Sequence, residues 1–335
     1  MKNQKRILIV RPDRIGDVVL STPLPREIKR QFPNAYIAIM LKKYTKDIFY
    51  NNPYVNKILL VDDDKSFWEK VREIKKEKFT HALMLLPSKK LNYMLFLSGI
   101  PYRVGVGHKL YQFLTFTRFV SRKKYRPLRH EADYCMDLAR KIGVIPNSLD
   151  TEIFLTKDEM LKVKKIKEQI LSAKKYIIGI HTTSGNSSPN WSPLKYKELI
   201  EQLTNNPDFH IIITDNQVPH ILQNITGVDY PNINKPLRES LVIFAALDYL
   251  ISSSTGPMHL AAALRVKTIS LFCPLTACSP KLWGPIGNPN KIILPSENYC
   301  SNFCPGDPKK CNFEGEGGIS VENIFQALYA WINQK

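Results

Sequence analysis

Ser252-Ser253-Ser254-Thr255-Gly256-Pro257-Met258-His259-Leu260-Ala261-Ala262-Ala263 is the stretch that decides how this chain is read. It follows the apolar run Asp248-Tyr249-Leu250-Ile251 and opens an alanine-rich helical pattern. Pro257 suits a first helical position, where its missing N–H removes nothing the helix would use. A strand, a hydroxyl-rich turn and a helix start point free backbone N–H groups and the positive end of a helix dipole at one spot. That spot suits a diphosphate. The same turn design also serves to cap a buried helix.

Outward from this turn, short β-rich runs alternate with helical patterns. Residues 6–10, 36–40, 57–61, 81–86 and 102–106 read as strands, and the pattern restarts at 176–180, 210–214, 248–252 and 268–272. Such alternation implies βαβ units and parallel sheets, hence an α/β fold. Two series predict two similar Rossmann-like domains, 1–160 and 161–335, joined within 145–175. The last helix, 321–333, is expected to pack back onto the first domain. In open parallel sheets ligands bind beyond the carboxyl ends of the strands. Two facing domains would set a cleft between two such sets of loops.

The chain has 335 residues and a net charge of +18, and its length favours about two domains. No apolar run approaches the ~18–20 residues of a membrane helix. Ile7-Leu8-Ile9-Val10 near the N-terminus is followed at once by Arg11, Asp13 and Arg14, so it reads as a first strand of a cytoplasmic protein and not as a leader. Residues 1–150 carry a net +16 and residues 151–335 a net +2. A basic first half attracts a polyanion or an anionic membrane surface. The densest cluster is Arg118, Arg122, Lys123, Lys124, Arg126 and Arg129. No recognition-helix, zinc-finger or aromatic RNA-binding signature accompanies it, so nucleic acid is not an expected partner. Cys300, Cys304 and Cys311 are closely spaced but lack a fourth ligand nearby, and they read as reduced thiols with no metal.

The first strand leads into Arg11-Pro12-Asp13-Arg14-Ile15-Gly16-Asp17. Asp17 at a helix start is favoured as an anion and can accept a proton from an attacking hydroxyl. Asp13 is a second candidate base, and Arg11 and Arg14 are candidates to hold acidic oxygens. In the second half, His181-Thr182-Thr183-Ser184-Gly185-Asn186-Ser187-Ser188-Pro189-Asn190-Trp191 is dense in hydroxyl and amide donors. Asp215 at a strand end could meet a ribose. Asp62-Asp63-Asp64 contains a D-x-D string that reads as a solvated acidic turn.

Together, residues 14–23, the 182–193 loop, 254–263, 271–274, Trp283-Gly284-Pro285 and the cysteine-bearing loop resemble glycosyltransferase family 9, the ADP-heptose–lipopolysaccharide heptosyltransferases. The resemblance implies a GT-B architecture, an inverting and metal-independent transfer with no cofactor, ADP-heptose as donor, and the inner core of lipopolysaccharide as a lipid-linked acceptor. It implies Asp17 as catalytic base and Thr182, Thr183, Ser254, Thr255, Gly256, Pro257 and His259 as donor-binding residues. Arg11, Arg14, Arg103 and Lys109 are the acceptor-side candidates, at the inner face of the cytoplasmic membrane. Two positions depart from the family pattern: Ser254 stands where Asp is common, and Pro189 where a cation is common, with Lys195 or Lys281 as candidate substitutes. These departures keep open a different nucleotide-sugar donor or a non-catalytic nucleotide-sugar-binding protein.

Overall fold

A computed structural model describes residues 4–122 and 126–333. The chain forms two compact units, one ending at Phe154 and the other beginning at Leu155, so the boundary falls a few residues before the expected 160/161. The first sheet holds β1 (Arg6–Val10), β2 (Tyr36–Leu41), β3 (Lys57–Leu60), β4 (His81–Met84), β5 (Tyr102–Val106) and β6 (Arg118–Val120). The second holds β7 (Tyr176–His181), β8 (Phe209–Ile213), β9 (Val228–Asp229), β10 (Tyr249–Ser253), β11 (Lys267–Leu271) and β12 (Asn290–Ile293). The orders are β3-β2-β1-β4-β5-β6 and β12-β11-β10-β7-β8-β9, with every pairing parallel. Counted from its own first strand, each sheet follows the same doubly wound order of a Rossmann fold.

The central strands are continuous apolar runs because helices cover both faces of a parallel sheet. Ile7, Leu8, Ile9 and Val10 are all fully buried, as are Ile177, Ile178 and Ile180. Gly179 interrupts the second run at the one point where Leu247 and Leu250 press against the strand. The helix Gly256–Ala263 lies close on its sheet because Ala261, Ala262 and Ala263 keep its packing face thin.

The C-terminal helix, Val321–Ile332, packs on the second unit. Val321, Ile324 and Leu328 join the core of the second unit, the Trp331 ring lies tilted against Tyr249 at 5.9 Å, and Tyr329 meets Phe209. Its apolar stripe is thus used up on the sheet of its own unit. No helix among the described residues is long and apolar enough to cross a membrane.

A Cβ at Gly179 would collide with the Leu247 side chain. Gly179→Ala is therefore expected to cost about 1–3 kcal/mol by overpacking, read as a lower denaturant midpoint at unchanged slope.

Candidate active site

In each sheet the winding reverses between two neighbouring strands, β1 and β4 in the first, β7 and β10 in the second. The crevice beyond the carboxyl ends of such a pair is where doubly wound folds bind ligands. The two sets of residues singled out by sequence lie at these places.

In the first unit, β1 runs into Arg11, whose side chain is only 2% exposed. Its Nε donates to the Asp17 carbonyl at 3.2 Å and its Nη1 to the Leu85 carbonyl, just past β4, at 3.1 Å. Its Nη2 donates to Asp17 Oδ1 at 2.9 Å and to Glu131 Oε1 at 3.1 Å, and Asp13 Oδ2 sits 3.2 Å from Nη1. A guanidinium has five N–H groups, and five acceptor oxygens from four residues engage it here. Arg11 therefore positions this loop. Glu131, absent from the sequence reading, is buried and also grips Arg122 at 3.0 Å. Its one sequence signal is its place at the start of the helix Glu131–Arg140, directly behind the basic cluster.

Asp17 lies in the first turn of the short helix Ile15–Val19, whose N-cap is Arg14. Its carboxylate keeps about a third of its surface open (29%). Burial pushes its pKa up to about 6, against the pull of the Arg11 cation, while Asp13 and Glu131 push the same way as burial. The helix dipole thus does not dominate, and Asp17 titrates close to neutrality, where a general base works well. Of the other acceptor-side candidates, Arg103 is buried, with its guanidinium on the Ile100 and Thr115 carbonyls, where it braces its own unit. Arg14 and Lys109 are exposed. In the basic cluster, Arg129 is held by Asp133 and Asp137 and Arg122 by Glu131, while Lys123 and Lys124 lie outside the described residues. The acidic turn is occupied structurally: Asp63 pairs with Lys70 at 2.5 Å and Asp62 accepts from the Lys43 amide.

In the second unit, Asp215 follows β8 and is buried. Its Oδ2 accepts from the Thr182 amide at 2.8 Å and the Thr182 hydroxyl at 3.1 Å. Its Oδ1 accepts from the Thr183 amide at 3.0 Å and the Thr183 hydroxyl at 2.7 Å. Asn190 ties the loop from the other side, donating to the Thr182 carbonyl and accepting from Tyr196 Oη, each at 2.8 Å. Trp191 is buried with its indole N–H on the Ile319 carbonyl. Both threonine hydroxyls are thus spent as donors inside the protein, and Asp215 holds the loop instead of a ribose. Lys195 leans over the Trp191 ring at 5.4 Å and reaches the Phe313 carbonyl, whereas Lys281 is exposed.

The neighbouring turn after β10 is different. Thr255 is the N-cap of the helix Gly256–Ala263 in extended conformation, yet its hydroxyl makes no cap bond. That Oγ1 is buried with no hydrogen-bond partner among the described residues, as is Ser253 Oγ beside it. A buried hydroxyl without a partner carries a desolvation penalty of about 1–3 kcal/mol. Ser254, Gly256 and Pro257 are partly open, and His259 is buried one turn further along. The tip offers amides, a positive dipole end and an idle hydroxyl. Among the described residues no group of three or more His, Cys, Asp or Glu is arranged to hold a metal ion.

Two doubly wound parallel sheets, with a carboxylate at the switch point of one and an amide-rich helix tip at that of the other, define a glycosyltransferase of the GT-B class. The model of glycosyltransferase family 9 (heptosyltransferase) matches residues 67–311, and the chain belongs to that family. A Haemophilus influenzae protein assigned provisionally to the glycosyltransferases is 26% identical over 98% of this chain and 97% of its own length. A family 9 glycosyltransferase of Veillonella parvula superposes with a TM-score of 0.80 at 18% identity, covering 100% of this chain and 99% of that one. The ADP-heptose lipopolysaccharide heptosyltransferase II of Escherichia coli gives 0.75 at 18% identity, covering 98% and 99%.

Carboxyl NMR should find Asp17 titrating near pH 6, and lower in Glu131→Gln, which removes a neighbouring anion. Because the folded pKa is raised, Asp17 favours folding below its unfolded value of about 4, and that contribution is lost as pH rises through 6. Asp17→Asn should therefore melt no lower than the native protein above pH 6. Asp215→Ala strands four donors, the two of Thr182 buried, and a loss of about 2–3 kcal/mol is expected from denaturant unfolding.

Proposed function

We propose that this glycosyltransferase moves heptose from ADP-heptose to the inner core of lipopolysaccharide, in one inverting displacement that calls for no metal. The observation that carries the reading is the Asp17 carboxylate, clamped by Arg11, partly open, and lifted to about pH 6. In the first unit it takes the proton of an acceptor hydroxyl while that oxygen attacks the anomeric carbon. The bond from that carbon to the diphosphate breaks, and its electron pair leaves with ADP.

The second unit is the donor side. Charge grows on the diphosphate as it departs, and fixed amides with a helix dipole stabilise it without reorganising. Thr255 and Gly256 supply the amides of that tip and Ser254 its side chain, since the Ser254 amide donates to the Leu271 carbonyl, and the Thr255 hydroxyl is idle until an oxygen reaches it. Thr182 and Thr183, tied to Asp215, shape the adjoining wall through their backbone. The Escherichia coli relative's name joins ADP-heptose to lipopolysaccharide, which supports the same donor and acceptor here. The net +16 of residues 1–150 fits an acceptor bearing acidic groups in an anionic membrane, approached from the cytoplasmic face. Ser254 and Pro189 favour a second reading, a different nucleotide-linked sugar passed to another glycan.

Asp17→Asn should lower transfer by about 10²–10⁴-fold with ADP binding unchanged by calorimetry. The native rate should fall away below about pH 6 and be insensitive to EDTA. Retention of most of the rate in Asp17→Asn removes the base assignment. Stronger competition by UDP or GDP than by ADP selects the second reading.

A further inference from the structure

The segment around the helix Leu110–Leu114 is built inside out. Its polar residues face inward: Gln112 and Thr115 are 1% exposed and Thr117 is buried too. Asn92 donates to Thr115 Oγ1 at 2.5 Å and accepts from Thr117 Oγ1 at 3.0 Å, and Gln112 Nε2 donates to the Val106 carbonyl at 3.2 Å. Its apolar residues face outward: Leu110 is 75% exposed, Phe113 80%, Leu114 56% and Phe116 80%. Phe116 also has φ +51°, a left-handed conformation that a bulky residue adopts only when its surroundings impose it. Scattered exposed leucines need no explanation, but four large apolar side chains in seven residues, held out by a satisfied polar network, do.

Charge identifies what covers them. From Lys78 to Arg129 the sequence holds eleven lysines and arginines and no aspartate or glutamate. Within that stretch Lys89, Lys90, Lys109 and Arg118 are exposed, and Lys109 immediately precedes the apolar helix. Apolar side chains reaching outward from a cationic stretch that carries no acid of its own match a bilayer with anionic headgroups, where rings enter the interface and lysines stay at the phosphates. A second copy meeting this patch by two-fold symmetry would set the same cations against each other. We propose that Leu110, Phe113, Leu114 and Phe116 insert into an anionic membrane surface and that the surrounding lysines and arginines anchor the first unit there. The inference extends the proposed membrane-borne acceptor, and its test requires no transfer.

The full chain is mixed with vesicles of phosphatidylcholine containing phosphatidylglycerol, or of phosphatidylcholine alone, and separated by flotation. Binding is expected to the anionic vesicles and to weaken with salt. In Phe113→Ser/Phe116→Ser it should fall about tenfold or more, at an unchanged melting temperature. Leu194→Ser, at an equally exposed apolar site on the other unit, should bind as the native chain does. Lys89→Glu/Lys90→Glu should remove the preference for anionic lipid. Failure of the native chain to float, equal binding to both vesicle types, or unchanged binding of the double serine variant overturns the proposal. So does lipid-free self-association that the serine substitutions abolish, which assigns the patch to a second copy. Normal turnover of a detergent-solubilised acceptor alongside failed flotation removes this proposal and leaves the function intact.

Discussion

The Arg11 guanidinium is the interaction on which the first unit's chemistry depends. One buried cation joins the end of β1, the end of β4 through the Leu85 carbonyl, and the start of the helix Glu131–Arg140 through Glu131. Removing a buried charge from water costs several kcal/mol unless its partners are well placed. Here three carboxylates and two carbonyls surround it. Its grip fixes one oxygen of Asp17 and leaves the other side of that carboxylate open. Without it, three acids would crowd one strand end, and Asp17 would lose both its direction and part of its acidity.

The second unit solves the opposite problem with the opposite sign. One buried carboxylate, Asp215, gathers two amides and two hydroxyls and makes the 182–191 loop rigid. The turn after β10 is left with a polar atom unserved at Thr255. Rigidity on one wall and an unfilled donor on the other is the arrangement expected of a site built to take oxygens from elsewhere.

Much of this was legible in the sequence. Eight central strands and the edge strand β3 stand out as apolar runs, and burial on both faces demands such runs of the central ones. The strands that escaped notice, β6, β9 and β12, are sheet edges of three, two and four residues with half-exposed patterns. The turn at 252–263 was legible because proline, glycine and hydroxyls at a helix start have few other uses. Burial was not legible. Arg11, Arg103 and Thr182 show a donor-bearing type in sequence, and only packing reveals that the donors are already taken. Glu131 lies 120 residues from Arg11, and nothing local marks the pair. The amphipathic C-terminal helix declares an apolar stripe but not which sheet receives it.

The outward phenylalanines at 113 and 116 bear on how this molecule can be handled and altered. The polar network beneath them makes no use of their rings, so fold stability does not require a ring at either place, and at 116 asks only for a residue that tolerates φ +51°. Exchanging them for serine would give a better-behaved reagent in plain buffer. A programme that selects only for solubility would therefore erase the address first, and the loss would go unnoticed until substrate had to be found on a surface.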